Sequence, residues 1–266
     1  MNFRRPSVPD SFRLDRLGEV VHGPAPGEQA IAVRRLRTVR AHHFDRCPIC
    51  LRPEPADLEH VPPSSVGGTV MTTTCKRCNN RFGSLVEDEL DAWLDGALTH
   101  IRFASEGSGV QGRRRSSPLL HRRTADGQFV LIAGVGAPPE VVQMLQHGEF
   151  EIDMAFPDPR RYRIAALKHA YLAACLHLGR IPDSPTADRV RAELIAARDA
   201  TDHRSVPTSS VAEELTLARS YRRHEAPAIA LCEFRTPAKG WKVGILLAGS
   251  FLVCWPLPDI VADIPE

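Results

Sequence analysis

Apolar positions 82, 85, 86, 90, 93, 94 and 98 fall on one face of a helix, with Glu87, Asp88, Glu89, Asp91 and Asp95 elsewhere. A second helix is predicted over residues 161–178, where alanines and Leu167, Leu172 and Leu176 favour helix and Gly179 followed by Pro182 ends it. A third is predicted over 186–200, and a shorter one near 211–221. The pattern then turns to β. Residues 228–234, 241–247 and 251–255 are rich in β-branched and aromatic side chains, and Gly249-Ser250 suits a turn. Upstream, 129–135 and 150–156 read as strands around a short helix at 138–146.

Two stretches lack a clear period. Residues 1–46 carry prolines, glycines and the arginines Arg34, Arg35, Arg37 and Arg40, so helix, arm and loop are all open there. Residues 104–127 combine Gly, Ser and Pro with Arg113-Arg114-Arg115 and Arg122-Arg123, which suggests a basic linker or loop.

Composition narrows the class. The chain has 266 residues, 43% of them apolar, enough for one sizeable core or two modest ones. A formal net charge of +2 excludes coating a polyanion through bulk charge, so any such contact must come from local clusters. The first residues are basic but no apolar stretch follows them, as a signal peptide would require. The most apolar run, 243–258, is interrupted by Ser250 and Pro256 and falls short of the ~20 residues that span a bilayer. The expectation is a soluble cytoplasmic protein with no membrane partner.

The cysteines carry the strongest chemical signal. Cys47-Pro-Ile-Cys50 and Cys75-Lys-Arg-Cys78 are two tight C-x-x-C knuckles. Two intervening residues let the backbone turn so that both thiolates meet one ion, and four soft ligands suit tetrahedral zinc. Cys175, Cys232 and Cys254 lie in apolar surroundings and read as small buried residues.

Between the knuckles lies Glu59-His60-Val61-Pro62-Pro63, then Gly67-Gly68, and Asn79-Asn80 follows the last cysteine. This order resembles the HNH endonucleases in their four-cysteine form, over residues 47–95. The resemblance implies a ββα-metal fold with zinc as a staple. It implies that His60 is the general base activating water, and that Glu59 and Asn79 hold a catalytic Mg²⁺ or Mn²⁺. The chemistry is coherent: phosphodiester cleavage needs a base near neutral pH and a hard cation on the phosphoryl oxygens. Lys76, Arg77 and Arg81 would flank that site and, with Arg113, Arg114 and Arg115, would contact the DNA backbone. One departure stands out. The stretch from Thr69 to Thr74 contains no Asn, where the family carries a central one.

The expected architecture is α+β. It comprises an N-terminal basic arm or helix (1–46), a zinc-bound HNH module (47–103), a basic linker (104–127) and an α+β accessory region (128–266) ending in a β hairpin or small sheet. The expected function is DNA hydrolysis. The alternative, favoured by the missing Asn, is a non-catalytic zinc-stabilised nucleic-acid-binding module.

Overall fold

A computed structural model describes residues 10–11, 32–95, 100–103, 119–123, 129–133, 152–155, 157–219, 227–236, 239–249 and 251–264, with positions 139, 142 and 143. The N-terminal region supplies two strands, β1 (Asp10–Ser11) and β2 (Ala32–Thr38). The first knuckle follows, closed by hydrogen bonds from Cys47 N to Arg52 O (2.8 Å) and from Leu51 N to Cys47 O (2.9 Å). Then come β3 (Asp57–Val61) and β4 (Thr69–Thr74), which pair antiparallel with a register shift between Glu59 and His60.

Gly67 and Gly68 shape the connection. Gly67 has φ +95°, and a Cβ on Gly68 would lie 1.6 Å from the Pro62 carbonyl oxygen. The obstacle at Gly68 is backbone, which cannot rotate away. Gly68→Ala is therefore expected to cost at least ~3 kcal/mol, read as a lower denaturant midpoint. Gly83→Ala is the control: it is right-handed, and its nearest contact would be an ordinary 3.8 Å to Glu87.

After the second knuckle the chain is helical from Lys76 to Asp95, as α1 (Lys76–Phe82), a π-helical stretch (Gly83–Glu87) and α2 (Asp88–Asp95). Phe82, Leu85, Val86, Leu90 and Trp93 are buried, so the apolar face expected here is the packed one. Next come β5 (His100–Phe103), β6 (Leu119–Arg123), β7 (Phe129–Ala133) and β8 (Ile152–Ala155), paired as β5–β8 and β6–β7. Strand β6 falls inside the stretch expected to be a linker. The short helix expected at 138–146 lies largely outside the described residues.

Helix α3 (Pro159–Leu178) is the axis of the core. Asp158 caps its N-terminus, accepting from Arg160 N at 3.0 Å, and left-handed Gly179 ends it. It is buried on every side from Ile164 to Leu176, as a central helix must be. Helices α4 (Pro185–Arg198) and α5 (Ser210–Glu214) are capped by Ser184 and Ser209. No helix of the described residues is long and apolar enough to cross a membrane.

Strands β9 (Leu217–Arg219), β10 (Ile229–Thr236), β11 (Lys239–Leu247) and β12 (Phe251–Cys254) complete a six-stranded sheet ordered β1-β9-β12-β11-β10-β2. Alternation gives it two apolar faces. Leu231, Ile245, Leu247, Phe251 and Val253 join the core around α3, while Val33, Ala230, Phe234, Leu246 and Leu252 form a second cluster. The arginine-rich segment at 32–38, left open between helix, arm and loop, is thus an edge strand of this sheet. Arg34 is held there by Glu233 (2.8 Å) and lies 3.9 Å above the Trp241 ring.

Candidate functional site

The two knuckles bring their sulfurs together. The Sγ atoms of Cys47, Cys50, Cys75 and Cys78 all lie within 4.8 Å of one another, and none is in a disulfide. A tetrahedral metal–sulfur site needs S···S separations of about 3.8 Å, so the four thiols are positioned to hold one metal ion. A hydrogen bond with Cys78 brings the Cys47 thiol down to about 5, and burial only partly opposes it. The same bond pushes Cys78 up. Arg198 lies with Nη1 3.5 Å from Cys78 Sγ and is itself braced by Asp199 at 2.7 Å. The guanidinium offsets negative charge on the sulfur cluster.

Directly below the hairpin lies a second cluster. The alternation of β3 turns Glu59 and Val61 inward and leaves Leu58 59% exposed. Glu59 is 2% exposed. Its Oε1 accepts from Lys168 Nζ at 2.7 Å and its Oε2 from Thr74 Oγ1 at 2.8 Å. Lys168, on α3, is 0% exposed and also donates to Glu87; its ammonium is 5.3 Å from the centre of the Phe82 ring. His169 Nε2 approaches Glu87 Oε1 at 3.4 Å.

Burial alone would push the Lys168 ammonium down. The charges of Glu59 and Glu87 outweigh it and hold the group above its usual range. Burial would likewise raise Glu87, but the Lys168 ammonium, with His169 close by, keeps it well below the usual carboxylate range. For His169 burial wins and the imidazole is pushed down. The cluster is therefore a Glu59–Lys168–Glu87 triad in which Lys168 is held charged, beside a histidine whose charged form burial disfavours.

The expected catalytic trio is brought into one small unit but not onto one open surface. Glu59 faces the Lys168 ammonium, a cation that already occupies the carboxylate's inner oxygen. His60 is half-buried, paired with Val70 just past the register shift. Asn79, on α1, donates from Nδ2 to the Leu58 carbonyl at 3.3 Å, tying the helix to β3. A cleft of about 630 Å³ opens beside the first knuckle, and none of the three lines it.

The expected nucleic-acid contacts divide similarly. Lys76 is exposed on the first turn of α1. Arg77 is exposed but pairs with Asp199 at 2.9 Å. Arg81 donates to the carbonyls of Arg198 and Ala200, capping the end of α4. Arg113, Arg114 and Arg115 lie outside the described residues.

Lys168 and Arg198 were not foreseen, although Lys168 carried a signal. It stands between Ile164 and Leu172 on a stripe of i, i+4 apolar positions, where an unpartnered lysine would not be buried. Arg198 has no comparable mark, because its sulfur partner is 120 residues away. Comparisons with protein-family models, curated proteins and solved structures find no match for this chain.

Proposed function

We propose that the four cysteines hold a structural zinc ion and that the strand–strand–helix unit they frame binds nucleic acid without cutting it. Four thiolates in a compact tetrahedron form the donor set that zinc takes in structural sites. The observation that carries the non-cutting reading is the seal on Glu59. Its carboxylate is buried against the Lys168 ammonium at 2.7 Å. Mg²⁺ or Mn²⁺ would have to displace a buried ion pair to reach it. The absence of Asn between Thr69 and Thr74 points the same way. Exposed Lys76 and the half-exposed rim around His60 leave basic groups for phosphate contact.

The second reading is the endonuclease. It is favoured by the strand–strand–helix order, by half-exposed His60 at the register shift, and by Asn79 anchored to the same strand. One experiment separates the two. Wild type and His60→Ala are incubated with supercoiled plasmid and Mg²⁺ or Mn²⁺, and retention on duplex DNA is followed against salt. The expected result is salt-dependent retention with no metal-dependent nicking by either protein. Nicking that needs the metal and disappears in His60→Ala makes the endonuclease reading the correct one.

A further inference from the structure

The cleft beside the first knuckle belongs to neither the cysteine centre nor the Glu59 network. One wall comes from the segment leading into the knuckle, with His42, Phe44 and Arg46, and from Leu51 just after it. The other comes from the loop after α3, with Arg180 and Pro182. At about 630 Å³ it lies within the ~300–1,000 Å³ of small-molecule sites.

Its chemistry is mixed in a specific way. Arg46 and Arg180 are exposed, and among the described residues neither side chain has an ion-pair or hydrogen-bond partner. Each guanidinium offers a planar fork of donors that fits phosphate. The floor is firm. Arg191 is buried and donates to Tyr171 Oη and to the Pro182 carbonyl, both at 2.8 Å. The walls are partly apolar: Phe44 and Pro182 are buried, and His42 meets Phe44 edge-on with ring centres 4.6 Å apart. Leu51 is 40% exposed although its φ is +58°, a left-handed conformation that costs a leucine energy glycine would not spend. Asp45 and Asp183 also line the cleft, so it accepts hydrogen-bond donors as well as an anion. A bare phosphate ion would use only the arginines. A ligand with a phosphate, hydroxyl and amine donors, and a flat apolar face would use every wall.

We propose that this cleft binds a nucleotide unit, with Arg46 and Arg180 on the phosphate and Leu51 packed against the base. The unit could come from a free nucleotide or from a single strand, and two probes distinguish them. Adenosine monophosphate and a short oligothymidine are titrated calorimetrically into the full chain, as wild type, Arg46→Ala/Arg180→Ala and Leu51→Gly. Both arginines are exposed and unpaired, so the double variant should fold as wild type. The glycine variant relieves the left-handed strain and should be no less stable. Wild type is expected to bind at least one probe, and the double variant to bind it at least about tenfold more weakly, the value of lost charged hydrogen bonds. Loss confined to the monophosphate identifies a free nucleotide, and loss with the oligothymidine identifies a strand. Binding of neither probe by wild type, or equal binding by the double variant, overturns the proposal. Retention of duplex DNA is a separate measurement, so the nucleic-acid reading and the cleft can fail independently.

Discussion

Stripping the metal is expected to unfold the strand–strand–helix unit and lower the melting temperature by roughly 10–20 °C. The sequence between the knuckles cannot hold itself together. Its hairpin is only two strands, β3 and β4, which are marginal on their own. Four sulfurs within 4.8 Å of one another have no stable arrangement without an ion once they ionise. Structural zinc in isolated fingers supplies about 10–16 kcal/mol. The loss here should be smaller, because Val61, Met71, Phe82 and Leu85 share one core with α3 and retain some packing. A net loss of about 5 kcal/mol corresponds to the stated shift for a chain of this size. The checks are metal content, expected at one zinc per chain, and calorimetry before and after a strong chelator. Cys78→Ser should reproduce the chelated state without chelator. A chain that keeps its melting temperature with less than a tenth of its zinc would show that the cysteine centre does not support the fold.

Local signals made some of this visible from residues alone. The knuckles need only two intervening residues each. Helix α3 carries its own stop, since Gly179 is left-handed where the helix ends. The strands β10, β11 and β12 lie next to one another in sequence as in the sheet. What could not be read depends on partners far along the chain. Along β3 the fold turns Glu59 inward and leaves Leu58 exposed. The reason is Lys168, 109 residues on, which makes the inward carboxylate tolerable. Arginine-rich β2 becomes a strand because it pairs with β10 and buries Val33, while Arg34 meets Glu233, 199 residues away, and Trp241 beside it. The candidate site was legible in its sulfur ligands for the same local reason. The environment of Glu59, which decides what chemistry it can perform, was set by tertiary contacts.

Lys168→Met is expected to destabilise the protein by about 3–5 kcal/mol while its zinc content stays at wild-type level. The substitution preserves most of the volume, so a cavity is not the cause. It leaves the buried Glu59 carboxylate and the partly buried Glu87 carboxylate without the cation they share, which favours protonation of one of them or separation of the elements. Because Glu59 sits on β3, Glu87 at the end of the π-helical stretch and Lys168 on α3, the cost is felt where the small unit joins the core. Glu59→Gln/Lys168→Met should recover part of the loss by removing one of the stranded charges. The pH dependence has a definite sign. His169 is pushed down in the fold, so the unfolded chain takes up its proton first and stability falls as pH drops below about 6.5. Glu87 is held low, so its contribution is present above about pH 4.5 and is lost on further acidification. Wild type should therefore weaken in two stages on the acid side. In Lys168→Met the second stage should shrink or reverse, because protonating Glu87 would then relieve repulsion. Denaturant midpoints measured from neutral pH down to about pH 2 decide it. A variant as stable as wild type would mean that the triad is not a stabilising junction.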